Sequence, residues 1–171
     1  RAVLVGVARA GTLPAYQGFA LLNDLCYSPG LRVDHIYMQR RTDENGRVIG
    51  VDLGGSKFGG DVDRSIVMLP DPMGATGSSI SDAIGLVKTL PGQATKIITM
   101  HLIITPEFIA RVTADHPHAH IYALRVDRGL SSEEVLATRP GTIEGEVGIN
   151  DVQYIVPGAG GLGEVINNSY A

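Results

Sequence analysis

Ser65-Ile66-Val67-Met68-Leu69 is a continuous apolar run, and Asp71-Pro72-Met73-Gly74-Ala75-Thr76-Gly77-Ser78-Ser79 follows it after Pro70. A short apolar run bounded by turn residues reads as a strand buried on both faces. From Ser79 to Leu90, the residues Ile80, Ala83, Ile84 and Val87 recur at helical spacing, and Pro91-Gly92 ends the helix. Between strand and helix lies a loop of small residues, which lets the backbone approach a ligand closely. Thr76, Ser78 and Ser79 supply hydroxyls, and a helix start supplies unpaired N–H groups and partial positive charge. A phosphate fits such a cradle without a lysine. The Gly-Lys-Ser/Thr phosphate loop is excluded because those residues are absent. Asp71, at the strand end, is placed to accept hydrogen bonds from ribose hydroxyls. The structural alternative is that Asp71-Pro72 merely ends a strand and that Thr76 or Ser78 caps a helix.

Outward from this unit the same alternation repeats. Ala2 to Val7 is a Val-rich strand, broken by Arg9-Ala10-Gly11-Thr12. Leu13 to Tyr27 reads as a helix with Pro14 in its first turn and Phe19, Leu22, Leu25 and Cys26 near one face. Arg32 to Gln39 is a strand, Arg41 to Gly46 a polar turn, Arg47 to Leu53 a returning β-arm, and Gly54 to Gly60 a Gly-rich mobile segment. Lys96 to Ile104 is a strand. Thr105-Pro106-Glu107 opens a helix, and His120 to Val126 is the next strand. Ser131 to Gly148 is an irregular excursion, Gln153 to Val156 a short strand, and a Gly-rich tail follows. Alternating strands and helices specify an α/β fold with a mostly parallel twisted sheet flanked by helices. Ligands in such sheets sit beyond the carboxyl ends of the strands, so the break at Arg9, the loop at Asp71 and the tail should share one crevice.

Composition narrows the class. The chain has 171 residues, enough for one domain with a sizeable core. Apolar residues make up 44% and aromatic residues only 5%, with no Trp, so an aliphatic core is expected. The net charge of -4 argues against a nucleic-acid surface but leaves room for a local anion site. A single cysteine, Cys26, excludes an internal disulfide and a cysteine metal cluster, and it fits a reducing, cytoplasmic compartment. No apolar stretch approaches the roughly 20 residues of a membrane span. The chain opens almost inside its first strand without an initiating Met. We read it as the C-terminal part of a longer polypeptide, a single domain over residues 1–171 whose N-terminal part is missing.

Asp71 to Ser79 resembles the phosphoribosyl-diphosphate loop of the uracil phosphoribosyltransferase family, usually DPMLATGGS. Tyr154-Ile155-Val156-Pro157-Gly158 resembles its uracil-site signature YIVPG, and Arg9-Ala10-Gly11 its diphosphate-binding turn. His35-Ile36 followed by Arg40 resembles its strand ending in a second diphosphate arginine. The four matches stand in the family's order and cover nearly the whole chain. The resemblance implies a type I phosphoribosyltransferase fold and transfer of phosphoribose from phosphoribosyl diphosphate to uracil, giving UMP and diphosphate in pyrimidine salvage. It implies Mg²⁺ carried by the phosphoribosyl diphosphate, no metal ligands from the protein itself, and a homo-oligomer. Arg9, Arg40 and Asp71 become the catalytic set. Pro72, Met73, Gly74, Ala75, Thr76, Gly77, Ser78 and Ser79 join them in binding phosphoribosyl diphosphate. Tyr154, Ile155, Gly160, Gly161 and Leu162 become the base site.

The chain departs from the family in three places. Gly74 and Ser78 stand where Leu and Gly are common, and both keep a small cradle. The family tail YIVPGLGDAGDR has an Asp where this chain has Gly161, which puts base specificity and turnover in question. Glu164 substitutes only if the tail folds differently. The excursion at Ser131 to Gly148 suggests a lid or an oligomer contact. Two other readings therefore stay open: a nucleotide-sensing homologue without turnover, and transfer to another base. Gly158 to Gly163 fits the GxGxxG spacing formally but lacks the following strand and acid of a dinucleotide site. His116, His118 and His120 alternate, but the preceding Asp115 and Pro117 favour a solvated turn over a metal site. His101 in an apolar strand and Cys26 on an apolar helix face read as core. Arg139 reads as a turn residue or as a basic group on a lid.

Overall fold

The computed structural model describes residues 1–26, 29–44, 48–141, 144–166 and 168. β1 (Ala2–Ala8) pairs in parallel with β2 (Leu31–Thr42) on one side and β4 (Ile66–Pro70) on the other. β4 pairs in parallel with β6 (Lys96–Ile104), and β6 with β7 (Ala119–Val126). The two-residue β5 (Met73–Gly74) continues along β6 beyond the end of β4, with Met73 opposite Ile103. At the other edge β3 (Val48–Lys57) returns antiparallel to β2. The strand order is β3-β2-β1-β4-β6-β7, all parallel except β3, as the alternating sequence pattern specifies.

α1 (Thr12–Cys26) follows β1, α2 (Ser78–Val87) follows β5, and α3 (Pro106–Asp115) follows β6. Thr105 caps α3: its Oγ1 accepts the Phe108 N–H at 3.0 Å, and Pro106 fills the first turn. α2 and α3 bury Ile80, Ile84, Val87, Phe108 and Val112 against Val3, Val5, Val7, Val67 and Leu69 of the sheet. This core is aliphatic apart from Phe108.

The α1 side corrects one expectation. Cys26 is exposed and Leu25 is 72% exposed, whereas Ala15 is fully buried. The helix packs through its small residues. A Cβ at Gly18 would lie 2.7 Å from Leu4 Cδ2, and one at Gly6 would lie 3.3 Å from Ala15 Cβ. Close backbone approach thus moves the buried stripe off Leu25 and Cys26. Strand pairing also overrides local composition at the β2–β3 edge. β2 runs through Arg41 and Thr42, so the polar turn starts later than expected, and residues 45–47 lie outside the described set. β3 extends through Gly54 and Gly55 to Lys57, where a mobile segment was expected, because β2 offers it a ladder from Tyr37 back to His35.

Beyond β7 the chain forms a one-turn helix α4 (Glu133–Leu136) and, in the Gly-rich tail, a short α5 (Leu162–Ile166). The strand expected at Gln153 to Val156 is reduced to a single bridge between Ile155 and Ile149. His116 is buried rather than solvated. Lys88 Nζ donates to its Nδ1 at 2.8 Å, leaving Nε2–H to donate to the Ser81 carbonyl at 2.8 Å. It clamps the end of α3 to α2 and does not gather ligands with His118 or His120, both exposed. Among the described residues no helix is long and apolar enough to cross a membrane.

Candidate active site

The loop after β4 is built from below. Asp71 N–H donates to the Met100 carbonyl at 2.9 Å, and the Asp71 carbonyl accepts His101 Nδ1–H at 2.6 Å. His101 is buried and edge-on to Phe108, and burial pushes its pKa down to about 4, so the ring is neutral at pH 7. Its Nε2 is buried without a hydrogen-bond partner, which fits a core histidine. The Pro72 carbonyl accepts the Leu102 and Ile103 N–H groups at 3.0 and 3.1 Å. Gly74 faces inward: a Cβ there would lie 2.6 Å from Phe108 Cδ2 and 3.0 Å from Ile104 Cγ2. Thr105 N–H and Oγ1–H secure the Gly74 and Ala75 carbonyls at 3.2 and 2.6 Å. Pro72 and Gly74 are therefore turned to the core and shape the loop from behind. Gly77 is buried against α3, and Asp71, Met73, Ala75, Thr76, Ser78 and Ser79 are half-buried and carry the loop's outer surface.

Gly77 begins α2 at φ +79°, a left-handed conformation, and no side chain caps the helix there. The Thr76 hydroxyl donates to Ser78 Oγ at 3.2 Å, and Thr76 Oγ1 faces the Ser78 N–H at 3.4 Å. The first turn of α2 thus opens toward the loop with small residues and no acidic group, which is the arrangement an anion needs.

Two further segments close on it. After β1, Gly11 N–H donates to the Val7 carbonyl at 2.9 Å and Thr12 N–H to the Arg9 carbonyl at 3.1 Å. A Cβ at Gly11 would lie 2.7 Å from the Pro70 carbonyl, so this turn rests backbone to backbone on the residue before Asp71. The Ala8–Arg9 and Val156–Pro157 peptide bonds are cis. The tail is hung from the end of β7. The Asp127 carboxylate, almost fully buried, accepts the Gly158 N–H at 2.8 Å and pairs with Arg125 at 2.6 Å. Gly129 N–H donates to the Val156 carbonyl at 2.8 Å.

Together these segments enclose a cleft of about 850 Å³ at the carboxyl ends of the strands. Of the residues expected at the site, Arg9, Asp71, Met73, Ala75 and Ser79 line it from the side of the β1 and β4 loops. Tyr154, Ile155, Gly160, Gly161 and Leu162 line it from the tail. Thr76, Gly77 and Ser78 stand just behind, at the start of α2. Arg40 lies in β2 opposite Val51, and its side chain is outside the described set. Its neighbours Met38 and Gln39 line the cleft, as do Tyr37 and Glu164. Sequence reasoning passed over Asp127. Its signal was its position, the first residue beyond a parallel strand that ends at the ligand crevice. The described residues of the 131–148 excursion contribute nothing to the lining. It folds onto Arg128, which pairs with Glu146 at 2.6 Å with both side chains buried, and which donates to the Val135 and Thr138 carbonyls. Arg139 is exposed on this excursion. Among the described residues no cluster of three or more His, Cys, Asp or Glu is placed to hold a metal ion.

This fold, with the Asp71 loop and the Tyr154–Leu162 tail facing each other across the strand ends, is that of the type I phosphoribosyltransferases. Residues 1–144 match the uracil phosphoribosyltransferase family, and the chain belongs to that family. It is 36% identical over 109 residues to uracil phosphoribosyltransferase of Acinetobacter baylyi, covering 64% of this chain and 42% of that protein. The structure of the AQ2163 protein from Aquifex aeolicus superposes with a TM-score of 0.67 at 24% identity, covering 95% of this chain and 63% of that one. Adenine phosphoribosyltransferase from Trypanosoma brucei, solved with AMP, pyrophosphate and ribose-5-phosphate, shares the fold with a TM-score of 0.53 at 17% identity over 88% of this chain and 65% of that one. The chain thus spans less than two thirds of the length of these relatives.

Proposed function

We propose that this protein transfers phosphoribose from phosphoribosyl diphosphate to uracil, giving UMP and diphosphate. The observation that carries the reading is the meeting of the Arg9 turn, the Asp71 loop and the Tyr154–Leu162 tail on one cleft. The 5′-phosphate sits on Ala75 to Ser79 at the open start of α2, and Asp71 accepts hydrogen bonds from the ribose hydroxyls. Arg9, and Arg40 from the end of β2, face the diphosphate. The C1–oxygen bond to diphosphate breaks with its electron pair leaving on the diphosphate, positive charge develops on the ribose, and a ring nitrogen of the base bonds to C1 as its proton passes to the departing diphosphate or to solvent. Arginines at the leaving group stabilise its growing negative charge. The rest is positioning, with no nucleophile required of the protein. Mg²⁺ enters with phosphoribosyl diphosphate as part of the substrate. The base docks on Tyr154, Ile155, Gly160, Gly161 and Leu162, where backbone groups of the tail match a uracil-like edge.

Pyrimidine salvage, a cytoplasmic setting and self-association belong to the same reading and rest on family membership. A second reading is favoured by Gly161, which stands where the family has an acid: the same cleft holds a nucleotide without turnover, or accepts another base. The deciding experiment mixes the protein with phosphoribosyl diphosphate, Mg²⁺ and a panel of bases. UMP from uracil supports the first reading. Product from another base moves the specificity. Nucleotide binding with no product establishes the sensor.

A further inference from the structure

The tail has four glycines between residues 158 and 163, and the backbone explains only two of them. Gly158 and Gly160 adopt left-handed φ values of +62° and +59°. Gly163 is required by packing, because a Cβ there would lie 2.9 Å from Ala10 Cβ of the Arg9 turn. Gly161 has neither constraint. What its missing side chain makes room for is a carboxylate: a Cβ at 161 would lie 2.8 Å from Glu164 Oε2 and 3.6 Å from its Cδ. Glu164 N–H also donates to the Gly161 carbonyl at 3.1 Å, so the two residues close one turn with the acid folded back over the glycine.

Both residues line the cleft beside Tyr154 and Ile155. Among the described residues two acids line this cleft, Asp71 on the loop side and Glu164 on the tail side. We propose that Glu164, admitted by Gly161, is a specificity-determining residue that accepts a hydrogen bond from the ring N–H that the base keeps after transfer, N3–H in uracil. The proposal rests on the phosphoribosyl-transfer reading above. A carboxylate repels a bare phosphate or diphosphate and binds a donor, and the donors brought by uracil are its ring N–H groups. Read this way, Gly161 does not mark a lost acid. The acid reaches the cleft from three residues further along.

The test uses Glu164→Ala, Gly161→Ala and the double variant in the full chain. The atom that a Cβ at 161 would meet is the far end of a flexible side chain, so Gly161→Ala should move the carboxylate and leave the fold intact. Thermal unfolding checks this. With uracil, or whichever base of the panel the unsubstituted protein accepts, each single variant should raise the KM for the base on the order of tenfold to a hundredfold, as for a lost hydrogen bond to a charged group. The KM for phosphoribosyl diphosphate should stay within about twofold. In the Glu164→Ala background, Gly161→Ala should add almost nothing, because there is no carboxylate left to displace. Additive effects, an unchanged base KM, or a rise confined to phosphoribosyl diphosphate would each overturn the assignment while leaving the transferase reading intact. If no base gives product, the transferase reading fails separately, and calorimetric titration with UMP decides. Weaker binding in both single variants supports the role of Glu164. Equal binding, or no UMP binding by the unsubstituted chain, removes it.

Discussion

Asp71 is fixed before any substrate arrives, since its N–H and carbonyl are both committed to β6 and Met73 N–H reaches its Oδ1 at 3.3 Å. A ribose contact from so rigid a position can strengthen in the transition state at little reorganisation cost. Asp71→Asn keeps the shape and removes the charge. It should lower kcat/KM on the order of a hundredfold in a steady-state UMP assay, and unchanged kinetics would remove Asp71 from the ribose site. The histidine beneath it titrates in the opposite sense from the usual stabilising pair. The folded-state pKa of His101 is about 4 against 6.5 for the free side chain, so between these values the unfolded chain binds more protons. Stability should therefore be constant above about pH 6.5 and fall as pH drops toward 4, by about 2 kcal/mol from pH 7 to pH 5. Urea unfolding of the parent and of His101→Gln at both pH values isolates this contribution, and equal slopes would exclude it. Gly74 carries the loop's packing constraint. Gly74→Ala drives a methyl into Phe108 and should cost about 1–3 kcal/mol by thermal unfolding.

At the scale of elements, the end of β7 organises everything after it. Asp127 holds Gly158, Gly129 holds Val156, and Arg128 gathers the excursion between them. The buried Arg128–Glu146 pair illustrates how such a hub responds to change. Glu146 also accepts the Gly141 N–H at 2.9 Å. Removing it strands a buried guanidinium, so Glu146→Ala should cost about 3–5 kcal/mol, whereas the double change Arg128→Met with Glu146→Leu should cost much less. Denaturant unfolding of the three proteins tests this, and equal losses in the single and double variants would show that the pair is not desolvated. Both changes sit away from the cleft lining, and the described part of the excursion braces the tail through Arg128 and Gly148.

At the scale of the whole molecule, continuous apolar runs fixed β1 and β4 within a residue, because a strand covered on both faces leaves an unbroken signal at Val3–Val7 and Ile66–Leu69. The loop after β4 was legible for a related reason: its small residues and hydroxyls stand out between two apolar runs. What escaped notice depends on partners distant in sequence. Gly54 and Gly55 become strand only because β2 lies alongside, Cys26 is exposed because Ala15 and Gly18 make the close approach, and Asp127 matters only through Gly158, 31 positions away. The cleft has the same character. Segments from residue 7 to residue 164 form its walls, so a ligand filling it ties the first strand to the tail. Such a ligand should stabilise the molecule as a unit. At 100 times its dissociation constant UMP should add about 2.7 kcal/mol, a rise in Tm of about 5–10 °C for a chain of this length. Uridine at the same concentration lacks the phosphate that the start of α2 would hold, and it should shift Tm far less. Differential scanning calorimetry with the two ligands separates the cradle from the base wall. Equal shifts would mean that the loop from Ala75 to Ser79 does not bind the phosphate, whatever the base site does.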